Sequence, residues 1–167
     1  MSWNPSVYLA FADERTRPAA ELLARVPSEH PARVADLGCG PGNSTELLVQ
    51  RWPGAKIDGI DSSPQMIETA KKSGVKADFA LADIAAWTPG AAYDVIFSNA
   101  TYQWLPDHRA LLPRLTNFVA KGGAFAFQVP NNQYAPSHTR RRDVAAEGPW
   151  GYKLADVHGI FLEKARA

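Results

Sequence analysis

Three acids stand where apolar runs give way to turns: Asp36, Asp61 and Asp83. Asp36 opens a glycine-rich segment, Asp36-Leu37-Gly38-Cys39-Gly40-Pro41-Gly42. Glycines in such a segment remove side chains that would hold a ligand off the backbone, and they permit positive φ. A tight strand-to-helix turn needs glycine even without a ligand, so the loop alone is weak evidence for one. Asp61 offers a carboxylate able to accept two hydrogen bonds from a ribose diol. Asp83-Ile84 offers an acceptor for an exocyclic amine beside an apolar contact for a purine face. Each acid taken singly is more often a cap or turn residue. Three at successive strand ends point to a nucleoside ligand.

The glycine spacing separates two such ligands. A dinucleotide fingerprint places its third glycine three residues after the second, and that position here is Asn43. The segment has Gly38, Gly40 and Gly42 instead, preceded by the acid Asp36. A pyrophosphate would be repelled by that acid, whereas the ammonium and sulfonium of S-adenosylmethionine would be attracted.

On these residues the sequence resembles the class I S-adenosylmethionine-dependent methyltransferases, and within them the trans-aconitate 2-methyltransferases. The resemblance runs through Trp3-Asn4-Pro5-Ser6, Ala35 to Thr45, Gly59-Ile60-Asp61-Ser62-Ser63-Pro64 and Gln103-Trp104-Leu105-Pro106-Asp107-His108. It implies that Asp36, Gly38, Cys39 and Gly40 hold the methionine end of S-adenosyl-L-methionine. Asp61 and Ser62 would hold the ribose, Asp83 and Ile84 the adenine, and Asn99 would face the donor from the end of the fourth strand. It also implies methyl-ester formation on a small polycarboxylic acid, trans-aconitate within this subfamily.

A carboxylate with an ordinary pKa of roughly 4 is ionised at neutral pH and needs no general base. Positioning and exclusion of water would then carry catalysis. Consistent with this, the sequence has no Ser-His-Asp set, no reactive-cysteine arrangement and no pair of metal-ligand histidines at helical spacing, and no metal is expected. An anionic substrate needs cations, and guanidinium is the natural bidentate partner. Arg15 and Arg17 are candidates on an N-terminal segment able to fold over the crevice, although solvated surface arginines would look the same. His108 and His138 follow. Trp104 can wall the pocket, though a lone tryptophan after a strand is more often core.

The elements positioning these residues follow from periodicity. Residues 5 to 25 suit a helix, with Pro18 in a first turn and Leu22, Leu23 and Val26 on an apolar face. Strands are expected at 33 to 37, 56 to 61, 77 to 82, 93 to 98 and 124 to 129, the last after a turn at Gly122-Gly123. Between the first two a helix is expected, capped by Asn43 with Glu46 as its capping-box partner. A second helix starts at Ser63-Pro64 and stops near Ser73-Gly74. Strands alternating with helices imply an α/β fold, a Rossmann-like open parallel sheet with helices on both faces and ligands at the strands' carboxyl ends.

The 167 residues suit one domain, 1–167, with N-terminal lid helices at 1–30, a Rossmann-like core at 31–130 and a C-terminal helical segment at 131–167. The resemblance implies seven strands, the last two a reversed hairpin, so the sequence is expected to lack those two. Residues 152 to 167 read as a helix instead. The strand at 124 to 129 would then be an exposed edge.

Net charge is +1, with 18 Lys plus Arg against 17 Asp plus Glu, so no global field favours nucleic acid or membrane. Arg140-Arg141-Arg142 is read as a solvated helix face. The single cysteine, Cys39, excludes an internal disulfide and suits a cytoplasmic protein. Three alternatives stand beside the leading one: another small-molecule methyltransferase, a nicotinamide-dependent oxidoreductase, and a donor-binding fragment without turnover. The oligomeric state is not legible in the sequence.

Overall fold

The computed structural model describes residues 16–105, 107–132 and 134–150. The chain divides into two compact units, Met1–Val129 and Pro130–Ala167. The first holds five strands: β1 (Arg33–Leu37), β2 (Lys56–Asp61), β3 (Asp78–Leu81), β4 (Tyr93–Asn99) and β5 (Val119–Gln128). Its helices are α1 (Arg17–Ala24), α2 (Asn43–Arg51), α3 (Pro64–Lys72) and α4 (His108–Thr116), with a 3₁₀ turn at Tyr102–Trp104. The second unit contributes α5 (Pro136–Glu147).

The sheet is parallel throughout, in the order β3-β2-β1-β4-β5. Strand order reverses at β1, which pairs with β2 on one side and β4 on the other. Connections leaving β1 and β4 therefore diverge, and a crevice opens at their carboxyl ends.

Both faces of the sheet are covered, which is why β1 is apolar at successive positions. Val34, Val95 and Phe97 pack with Leu23, Val26, Leu47, Leu48 and Trp52 of the α1 and α2 side. On the opposite face Ala35, Leu37 and Ile96 pack with Tyr102, Leu111 and Leu115 of the α4 side. A smaller cluster joins Ile67 and Ala70 of α3 to Phe79 of β3 and Cys39.

Arg51, at the end of α2, ties α1 to this frame. Its guanidinium donates to the carbonyls of Leu23, Val26 and Ser28 and lies over the Trp52 ring. Those carbonyls lie at and just past the C-terminal end of α1, where intrahelical partners run out. The C-terminal ends of the two helices are thereby held together.

Several expectations are corrected. The described part of the first helix starts at Arg17 with Pro18 in its first turn, and residues 5–15 lie outside the described residues. Asn43 is not a cap: Gly42 occupies the N-cap position in left-handed backbone, and Asn43 is already helical. Glu46 accepts from Gln50 one turn on rather than closing a capping box.

Gly122-Gly123 is no turn before a strand, because β5 runs through it from Val119. Tyr93 pairs with Val119 and Val95 with Ala124, so a bulge absorbs the extra residues of β5. There Gly123 passes so close to β4 that a Cβ would lie 2.6 Å from the Asp94 carbonyl oxygen. The third strand is shorter than expected, and the fourth extends to Asn99. Ser63 does cap α3, accepting from the Met66 amide. The helix expected over 152–167 lies outside the described residues.

Replacing Arg51 by Met keeps its stem against Trp52 but strips the donors from the α1 carbonyls. Urea unfolding is expected to show a loss of about 2 kcal/mol, in line with charged hydrogen bonds to partly buried acceptors. A loss below about 0.5 kcal/mol would mean that water replaces the guanidinium without cost.

Candidate functional site

The crevice is lined first by the turn between β1 and α2. The amides of Gly38 and Cys39 both donate to the Ile60 carbonyl at the end of β2, at 2.7 and 3.0 Å. Gly38 has φ +76, and a Cβ there would fall 2.1 to 2.7 Å from side-chain atoms of Thr101. Only glycine fits between that turn and the segment leaving β4. A Cβ on Gly40 would instead meet nothing within 4 Å, so this part of the turn faces open space.

Asp61 locks the same turn from the neighbouring strand. Its Oδ2 accepts from the Gly40 amide at 2.9 Å and its Oδ1 from the Ser63 amide at 2.8 Å. Each carboxylate oxygen has a second lone pair, so Asp61 can hold the turn and still accept from a diol. Ser62, beside it, is exposed.

Asp36 lies fully buried beneath the turn. Ser44 and Thr45, in the first turn of α2, both donate their hydroxyls to its Oδ2, at 2.8 and 2.7 Å. Its Oδ1 is buried and finds no hydrogen-bond partner among the described residues. Burial pushes the Asp36 carboxyl up to about 6; the Thr45 and Ser44 hydroxyls work against this, and the Asp61 charge adds to it. A buried carboxylate with one oxygen unpaired is costly to keep ionised. A cation placed against it relieves that cost.

Cys39 turns its side chain into the α3 cluster, 3.3 Å from where a Cβ on Gly59 would stand. Burial and the Asp36 and Asp61 charges push its thiol upward, away from the reactive thiolate. Cys39 can therefore serve a ligand through its backbone and not as a nucleophile.

Asp83 follows β3 and is exposed; its Oδ1 accepts from the Ala85 amide at 2.9 Å. Ile84 next to it is buried against the α4 side. On the other side of the crevice, Asn99 ends β4, and its Oδ1 accepts from Gln128 at 2.7 Å. Ala100 then takes φ +53, a backbone conformation costly for a residue with a Cβ. Gln128 accepts from its amide and Gln103 donates to its carbonyl. Two contacts, Gln128 to Asn99 and Ala100 to Gln128, thus fix where the chain leaves β4 relative to the end of β5, while the Thr101 hydroxyl on the Asn99 and Gly38 carbonyls ties the same segment to the glycine turn.

The substrate-side candidates are less gathered. Trp104 is 70% exposed on the 3₁₀ turn, which overturns a core role for it. His108 is the first residue of α4, behind the Asp107 cap. Arg17 starts α1 and pairs with Glu21 at 2.9 Å along the helix. Arg15 lies outside the described residues. His138 belongs to the second unit, where its Nδ1 stands 3.4 Å from Arg141. Among the described residues no cluster of His, Cys, Asp and Glu is arranged to hold a metal ion, and no helix is long and apolar enough to cross a membrane.

Sequence reasoning passed over Ser44, Thr45, Thr101, Gln128 and Arg114. Two hydroxyl residues directly after a glycine turn were the only local sign, and their partner is eight and nine residues away. Nothing local marked the others.

The sequence matches the methyltransferase domain family over residues 11–162. It is 55% identical to a trans-aconitate 2-methyltransferase of Methylobacterium radiotolerans, over 92% of this chain and 59% of that protein. It is 51% identical to that of Paracidovorax citrulli, over 95% and 62%, and 53% identical to that of Shigella dysenteriae, over 95% and 65%. The chain therefore spans about three fifths of the length of these curated relatives. Among solved structures it resembles the plantazolicin methyltransferase BpumL in complex with a desmethyl plantazolicin analogue and SAH, with 23% identity, a TM-score of 0.65 and coverage of 94% of this chain and 62% of that one. An S-adenosylmethionine-dependent methyltransferase from Mesorhizobium loti shares 26% identity, with a TM-score of 0.62 and coverage of 75% and 57%. A parallel sheet reversing at β1, a glycine turn at the reversal and a match over residues 11–162 agree: the chain belongs to the methyltransferase domain family.

Proposed function

We propose that this chain binds S-adenosylmethionine in the crevice above β1, β2 and β4, and forms part of an enzyme that methylates a carboxylate of trans-aconitate or a closely similar acid. The observation that carries the reading is identity above 50%, across more than nine tenths of the chain, to proteins named for that reaction. The donor fits the residues present. The orphaned Oδ1 of Asp36 is a partner for the amino-acid ammonium, and the open space at Gly40 admits the ligand to the backbone of residues 38 to 40. Asp61 and Ser62 take the ribose, Asp83 and Ile84 the adenine, and Asn99 faces the donor.

When bound, S-adenosylmethionine supplies a methyl carbon on a positively charged sulfur, which a carboxylate oxygen displaces in line as the C–S electron pair returns to sulfur. The acceptor is already ionised, so the residues of this chain hold, orient and shield rather than move a proton. Arg15 and Arg17 supply cations for the remaining carboxylates, while Trp104 and His108 border the acceptor side. Balanced charge gives no general attraction for nucleic acid, and a single cysteine that can form no internal disulfide suits a cytoplasmic setting.

Titration calorimetry of this chain with S-adenosylmethionine, S-adenosylhomocysteine and NAD tests the donor. Saturable binding of the first two is expected, weakened about tenfold or more by Asp61→Ala, which deletes charge-assisted hydrogen bonds. Binding of NAD alone would transfer the chain to the oxidoreductases. In an acceptor panel, preference for amines or phenols over trans-aconitate would defeat the carboxylate assignment.

Asp36 yields a coupled prediction. Its folded carboxyl titrates near 6 against 3.8 ordinarily, so between about pH 4 and 6 the folded chain holds the extra proton. Stability of the unliganded chain then falls as pH rises through that window. Asp36→Asn should remove that slope and raise the melting temperature at pH 7.5, yet weaken S-adenosylhomocysteine binding about tenfold or more by losing the ammonium's partner. Equal affinity of Asp36→Asn and wild type would place the ammonium elsewhere.

A further inference from the structure

Arg114, in the last turn of α4, reaches across to the connection between β3 and β4. Its Nη2 donates to the carbonyls of Ile84 and Ala85 and its Nη1 to that of Trp87, all at 2.8 Å. The guanidinium lies 5.6 Å from the centre of the Phe118 ring, and Trp87 packs edge-on against that ring and obliquely against Tyr93. Three carbonyls from four successive residues converge on one rigid, planar cation. No regular element otherwise holds this stretch, since β3 ends at Leu81 and β4 begins at Tyr93.

The position of those carbonyls gives the contact its meaning. Ala85 is gripped at both ends of its backbone: its carbonyl accepts from Arg114, and its amide donates to Asp83 Oδ1. Ile84, whose side chain is buried, has its carbonyl held by the same nitrogen. The two residues assigned to the adenine are thus oriented by a side chain some thirty positions later in the sequence. With Asp83 Oδ1 occupied by Ala85, Oδ2 is left to accept from an exocyclic amine.

We infer that Arg114 is a positioning residue for purine recognition: by clamping the Ile84, Ala85 and Trp87 carbonyls it aims the Asp83 carboxylate at the six-position amine of the donor's adenine. The inference rests on the donor reading above and extends it from binding to discrimination between purines. A lysine can replace only part of the clamp, because its ammonium offers compact donors on a flexible stem instead of a planar fork spanning three carbonyls. Arg114 touches no ligand atom; it acts through Asp83 and Ile84.

The test compares S-adenosylhomocysteine with S-inosylhomocysteine, which carries a carbonyl where adenine carries its amine. Both are titrated calorimetrically into wild type, Arg114→Gln, Arg114→Lys and Arg51→Met. The last loses a similar set of carbonyl contacts on the opposite face of the sheet and serves as a control for general destabilisation. Wild type and Arg51→Met are expected to prefer the adenine ligand about tenfold, the scale of one hydrogen bond to a carboxylate. In Arg114→Gln the preference should fall to within about twofold, with Arg114→Lys intermediate, since a single ammonium restores part of the clamp. Preference retained in both Arg114 variants, or lost equally in Arg51→Met, overturns the inference while leaving the donor reading intact. Failure of wild type to bind either ligand removes the donor reading and this inference with it.

Discussion

The hydrogen bond from the Gly40 amide to Asp61 makes the glycine turn and the end of β2 a single object. Together with the Gly38 and Cys39 amides on the Ile60 carbonyl, it takes a segment that would otherwise be free to open and presses it against the neighbouring strand. Everything else at the carboxyl ends of the strands is measured from this contact. Asp36 is roofed by it, α2 starts from it, and Thr101 is close enough to leave room only for a glycine at position 38. A turn fixed from two strands offers its backbone to a ligand without first having to be ordered.

Beneath that roof the protein keeps an unfavourable group. A buried Asp36 carboxylate with two hydroxyls on one oxygen and none on the other is poorly satisfied, and the simplest hydrophobic packing would exclude it. Natural cores place such groups where a charge of opposite sign is to be received. The left-handed Ala100 at the end of β4 belongs to the same pattern of local strain held by surrounding contacts, here by Gln103 and Gln128. Asp36 stands on the strand where the order reverses and Ala100 at the end of the β4 strand paired with it, so the two features border the crevice from neighbouring strands.

Much of this was legible in the sequence. The bounds of β1 follow from an apolar run that must be buried on both faces, and those of β2 from Ile57 and Ile60 framed by polar residues, so Asp36 and Asp61 fall at strand ends. Ser63 and Pro64 named a helix start because a cap is a local bond. The misreadings also have physical causes. A glycine pair signals either a turn or a bulge, and only the distance from Gly123 to the Asp94 carbonyl decides between them. Asn43 was a good cap by type, but the left-handed glycine before it had already taken that position. Trp104 is exposed because the 3₁₀ turn carries it away from the sheet, a direction that composition does not encode. Contacts such as Arg114 with Ile84 join distant segments and leave no periodic trace.

The strand order also has a kinetic meaning. β1 meets β2 through residue pairs such as Val34 and Ile57, but meets β4 through pairs such as Val34 and Val95. Closing the longer loop costs more chain entropy and delays the contacts that repay it. The half containing β1, β2 and β3 can therefore assemble first, with the Asp61 clamp already inside it, while β4 and the Thr101 wall arrive later. During that interval the flank of β1 that will receive β4 stands unpaired and apolar, the kind of edge on which other chains add. The rate at which β4 docks thus sets how long a nascent chain is exposed to aggregation.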